Sequence, residues 1–92
     1  MAVSLSTAVV ASDDIAFREI EQEGVLLNLE TGTYFGLNQV GTRAWTLLLE
    51  GKSVGEVHAQ LSQEYEVAPD VLERDLIGWV GALVEKGLVR EK

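Results

Sequence analysis

The 92-residue sequence has no cysteine. Disulfides, thiolate nucleophiles and zinc sites of the finger type are excluded, and a reducing compartment is compatible with the chain. Histidine is nearly absent as well: His58 stands alone, so a triad of nucleophile, base and acid would have to pass through it. It falls in a helical pattern near Glu56 and Gln60, with no nucleophile in a glycine elbow, and reads as a solvated helix-surface side chain. Cations are few. Seven Lys and Arg face fifteen Asp and Glu, for a formal charge of −8, a field that repels phosphate backbones and acidic membrane surfaces. The carboxylates of Asp13, Asp14, Glu19, Glu21 and Glu23 lack the spacing of a metal loop and read as a charged, solvated face. Gly32, Gly36 and Gly41 match no phosphate-binding fingerprint, and no lysine follows them to meet a phosphate. No catalytic residue, metal or cofactor is expected, and no nucleic-acid partner.

Long apolar runs are missing too. Nothing approaches the ~18 consecutive apolar residues of a membrane span. The mildly apolar start through Ala11 lacks a basic region and is broken by Ser4, Ser6 and Thr7, unlike a signal peptide. A soluble, cytoplasmic protein without a membrane partner is expected.

What is present is enough apolar residue, 47%, for one core in a domain that buries roughly 60–65% of its unfolded surface. A single domain over residues 1–92 follows, with residues 1–7 expected to be flexible. Three short strand-like runs, Ile15 to Glu21, Val25 to Leu29 and Thr33 to Leu37, are separated by Gln22-Glu23-Gly24 and Glu30-Thr31-Gly32. Both connections end in glycine, which takes the positive φ of short hairpin loops. Alternation puts Val25, Leu27 and Leu29 on one face, and Phe35 and Leu37 opposite Tyr34 and Gly36. One face should be buried, and the third strand should keep an unpaired edge.

The period then becomes helical. Asn38 can cap a helix whose stripe is Val40, Ala44, Leu47 and Leu48, with Gly51 as its stop. Ser53 and Glu56 form a capping box ahead of Val54, Val57 and Leu61, in a helix running to about Tyr65. Pro69 suits the first turn of a third and longest helix, with Leu72, Leu76, Trp79 and Leu83 on one stripe and Gly87 at its end. Trp45 and Trp79 read as core. Gly78 and Gly81, with the small Ala82 beside them, stand out in a helix interior, since each glycine costs about 0.8–1 kcal/mol relative to alanine. Either close packing or a groove for an external backbone would account for them. The fold class is α+β, a three-stranded antiparallel sheet followed by three helices.

The stretches VLLNLETGTYFGLNQVGTRAWTLL (25–48), SVGEV (53–57), DLIGWVGAL (75–83) and GLV (87–89) resemble the PqqD-like family over nearly the whole chain. These are peptide chaperones and leader-recognition elements for ribosomally made, post-translationally modified peptides, on a compact winged-helix-like fold. Tyr34 to Asn38, with Trp45 seven residues on, looks like the free-standing members of lasso-peptide pathways. The resemblance implies a bacterial, non-catalytic chaperone whose partners are a precursor-peptide leader and a modifying enzyme, the leader protease of the lasso pathway or another maturase of such peptides. It implies that the leader adds as a strand to Tyr34, Phe35, Gly36 and Leu37. The helix wall would be Val71, Arg74, Asp75, Ile77, Gly78 and Ala82. The unpaired edge allows a monomer or an edge-strand dimer. The alternatives are a pyrroloquinoline-quinone-type chaperone serving a radical-SAM enzyme, and a winged-helix nucleic-acid binder, which the acidity disfavours.

Overall fold

The computed structural model describes residues 3–92. Its elements are β1 (Val9–Ala11), β2 (Ile15–Ile20), β3 (Glu23–Asn28), β4 (Tyr34–Leu37), α1 (Gln39–Leu49), α2 (Val54–Glu64), α3 (Pro69–Glu85) and β5 (Val89–Glu91). Strands β2, β3 and β4 form the expected antiparallel meander, with both outer strands open. The expected fold class is therefore the observed one: this sheet is followed by three helices. Strands β1 and β5, which no hydrophobic period announces, pair as a second, two-stranded sheet.

The described part of the segment before β1 makes backbone hydrogen bonds to α2. The carbonyls of Leu5 and Thr7 accept from the Gly55 and Val54 amides at 2.7 and 2.8 Å, covering the first turn of α2. Met1 and Ala2 lie outside the described residues.

The starts of α1 and α2 and both ends of α3 carry the local chemistry expected of helix termini. The Asn38 side chain accepts from the Gly41 amide at 2.7 Å. Ser53 and Glu56 close their box in both directions, at 3.2 and 2.8 Å. Pro69 opens α3, and its end is a Schellman motif: Gly87 takes φ +73°, and the Leu88 and Gly87 amides bond the carbonyls of Leu83 and Val84. His58 is half-buried rather than solvated; its Nε2 lies 2.8 Å from the Pro69 carbonyl and ties α2 to the start of α3.

Two sheet expectations are corrected. The first hairpin turns at Glu21 and Gln22, both at positive φ, and Gly24 lies within β3. The buried face of β3 is that of Gly24 and Leu26, the latter fully buried, whereas Val25 and Leu29 are exposed. The physical reason is a close approach. A Cβ on Gly24 would lie 2.6 Å from the Phe17 ring of β2, so only glycine lets that ring pass inward to meet Trp45, with centroids 6.3 Å apart. The core then runs from Leu26 and Leu37 through Trp45, Leu47 and Leu48 to Val57, Leu61, Val80 and Leu83.

Candidate functional site

The two hydrogen-bonding edges of β4 are distinguished by its register. The Asn28 amide donates to the Thr33 carbonyl at 2.9 Å, and Leu26 faces Phe35. Antiparallel alternation therefore turns the main-chain groups of Thr33, Phe35 and Leu37 toward β3 and those of Tyr34 and Gly36 toward the open side. Two amides and two carbonyls are thus presented to an incoming strand. Side chains follow the opposite parity: Leu37 is buried and Phe35 half-buried on the inner face, and Tyr34, 71% exposed, stands on the outer one.

Beside this edge lies a groove of about 590 Å³. Its sheet side is Phe35, Gly36 and Leu37; its floor is Val40, Gly41 and Ala44 of α1 with Leu61 of α2 and Tyr65 just past the end of that helix. Its far wall is Leu72, Asp75, Leu76 and Trp79 of α3, and Glu66 and Val67 border it. Lys86 sits 5.9 Å over the Phe35 ring, so α3 passes the start of β4 with its C-terminal end. Asp75 lies 3.8 Å from Arg74, and both are largely exposed. The edge of β2 is equally unpaired, but no residue of β2 borders this groove, and Arg18 and Glu19 guard that edge with charge.

The structure brings together Phe35, Gly36, Leu37 and Asp75 of the residues expected from the sequence. Tyr34 supplies main chain to the edge, but its ring points away from the groove. At about 100° per helical residue, Val71, Gly78 and Ala82 fall on the outer margin of the Asp75 side. Arg74 and Ile77 fall on another flank, where Ile77 packs partly against the core. The α3 wall is instead the stripe that the sequence assigned wholly to the core, and Trp79 is its half-buried member. Its marginal position on that stripe, next to Asp75, is the signal that could have placed it at the groove. A Cβ on Gly78 or Gly81 would meet nothing within 4 Å, so close packing does not explain these glycines. Among the described residues, no group of three or more His, Asp or Glu side chains is placed to hold a metal ion, and no helix is long and apolar enough to cross a membrane.

An open strand edge bordering an apolar, helix-walled groove defines a class of domain that can take up an extended chain by strand addition. The profile of one family, Coenzyme PQQ synthesis protein D (PqqD), matches residues 23–89, and the chain belongs to that family. Two solved structures are similar over almost their whole lengths. One is described as TbiB1 in complex with the TbiA(beta) leader peptide: 44% identity, TM-score 0.82, covering 88% of this chain and 94% of that one. The other, a lasso peptide synthetase B1 complexed with the leader peptide, has 30% identity and TM-score 0.82, covering 89% and 96%. No curated protein sequence matches significantly.

Proposed function

We propose that this chain is a non-catalytic recognition element that binds the leader of a lasso-type precursor peptide and delivers it to a leader protease or cyclase in the cytoplasm. The observation that carries the reading is the pairing of the free Tyr34 and Gly36 main-chain groups with the adjacent groove, in a fold shared with two leader-peptide complexes. An added strand would exchange hydrogen bonds with Tyr34 and Gly36. Its residues opposite Phe35 and Leu37 would send their side chains into the groove, against Leu72, Leu76 and Trp79. Four main-chain bonds at about 1 kcal/mol net give ~4 kcal/mol, half of the ~8 kcal/mol that micromolar affinity requires. Two buried apolar anchors at ~1.5–3 kcal/mol each supply most of the rest. Asp75 would meet a charged leader residue at the rim.

Delivery needs a second surface. The outer face of the sheet carries Ala16, Leu27 and Tyr34 in one row and Arg18, Val25 and Gly36 in the next. Ile20 is 67% and Leu29 61% exposed beside them. Arg18, Val25 and Tyr34 are exposed on this face, and a strand added to β4 would extend it, so the modifying enzyme would dock on protein and peptide together.

The test is fluorescence polarisation of labelled TbiA(beta) leader peptide and of the leader from this chain's own precursor, with duplex DNA as control. Saturable binding of a leader with silent DNA is expected; a folded sample that binds neither leader refutes the reading. The family description also favours a precursor of the pyrroloquinoline-quinone type. Tighter binding of that peptide in the same assay would transfer delivery to a radical-SAM enzyme.

A further inference from the structure

Thr42 is the sole buried polar residue among the described residues, 5% exposed. It stands in the first turn of α1, where its own amide bonds the Asn38 carbonyl at 2.8 Å. Its Oγ1 accepts from the Gly24 amide at 2.8 Å and donates toward the Leu37 carbonyl at 3.5 Å. Gly24 and Leu37 face each other as the last rung of the β3–β4 ladder. The hydroxyl thus closes that rung from the side, joining the beginning of β3, the end of β4 and the first turn of α1.

A side chain on Gly24 would also come within 3.1 Å of Oγ1, besides striking the Phe17 ring. The glycine therefore serves two contacts at once: it lets the ring in and leaves the amide open to the hydroxyl. On the other strand, Leu37 follows Gly36, whose free amide and carbonyl form half of the open edge. The rung that Thr42 closes is the one that holds this half in register.

Resting on the leader-binding reading, we propose that Thr42 is a positioning residue for recognition: its hydroxyl keeps the end of β4 ordered, so that Gly36 presents its main-chain groups before the peptide arrives. Without the hydroxyl the Gly24 amide loses its partner and the rung opens. A leader would then meet a protein competent only part of the time, and its apparent affinity would fall by that fraction.

The experiment compares wild type, Thr42→Val, Thr42→Ser and the core control Val57→Ala for Leu37 amide exchange, thermal unfolding and affinity for labelled TbiA(beta) leader. Thr42→Val is expected to speed Leu37 exchange while leaving α3 amides protected, and to weaken leader binding about tenfold, the effect of one orphaned buried amide. Thr42→Ser is expected to restore both, and Val57→Ala, though destabilised, to bind like wild type. Should Thr42→Val not fold, Thr42→Ala replaces it. Failure of both to fold, unchanged exchange and affinity, or an equal affinity loss in Val57→Ala would each overturn the proposal. Absence of wild-type binding both to this leader and to that of the chain's own precursor would count against leader recognition itself, and the exchange comparison would still decide whether the hydroxyl orders β4.

Discussion

At the scale of single residues, Gly36 offers the sharpest separation of fold from function. Its amide faces the open side of β4, its φ is not positive, and a Cβ there would meet nothing within 4 Å. Proline is tolerated on an edge strand where the lost amide pointed to solvent. Gly36→Pro should therefore fold with little loss of melting temperature and weaken leader binding about tenfold or more, since it removes an edge donor and places a ring in the path of the added strand. A titration beside a thermal melt checks both. Glu64 gives a prediction of a different kind. Hydrogen bonds from Arg43, at 2.9 Å, and from Gln60 hold its carboxyl down to about 2. A carboxyl whose folded pKa lies below its unfolded value of 4.5 adds stability above that pH and loses it as the pH falls toward 2. Melts of wild type and Glu64→Gln should differ at pH 7 and converge as the pH is lowered from about 4.5 to 2.

At the scale of elements, Gly81 of α3 is half-buried, yet its missing Cβ leaves open space. Gly81→Ala should raise stability by about 0.8–1 kcal/mol through helix propensity alone, measurable by urea unfolding, and should leave leader affinity unchanged. The helices were legible because their boundaries are chemical: Asn38, Ser53 with Glu56, Pro69 and Gly87 each satisfy or omit a specific backbone group. The open edge of β4 was legible from the order of the hairpins. The inner face of β3 was not. Val25, Leu26 and Leu27 are apolar in succession, so period-two patterning has two equally good phases, and the choice is made by Phe17 and Thr42, which are remote in sequence from that run. The groove wall was half legible for a similar reason. Asp75 sits on it as expected, but Leu72, Leu76 and Trp79 serve core and groove together, and hydrophobic period alone does not divide one stripe between two roles.

At the scale of the molecule, β1 and β5 are three residues each and nearly the whole chain apart; such a pair carries no local signal, because its register depends on the helices that lie between the two strands. It nevertheless completes the core. Val9 and Val89 are each 2% exposed, and the preceding segment satisfies the Val54 and Gly55 amides. Deleting residues 1–11 removes those carbonyl partners, the pairing and the Val9 contact together, for about 3 kcal/mol or more. Calorimetry should show the melting temperature falling by about 10 °C or more. The parity of β4 has a consequence for the peptides such a domain could serve. If a strand adds as proposed, its main chain would be read at two positions and its side chains would enter the groove only opposite Phe35 and Leu37, so the cargo beyond the bound segment would be free to drift between generations. A lineage could then diversify the cargo attached to a leader while two anchor positions keep it addressed to the same carrier.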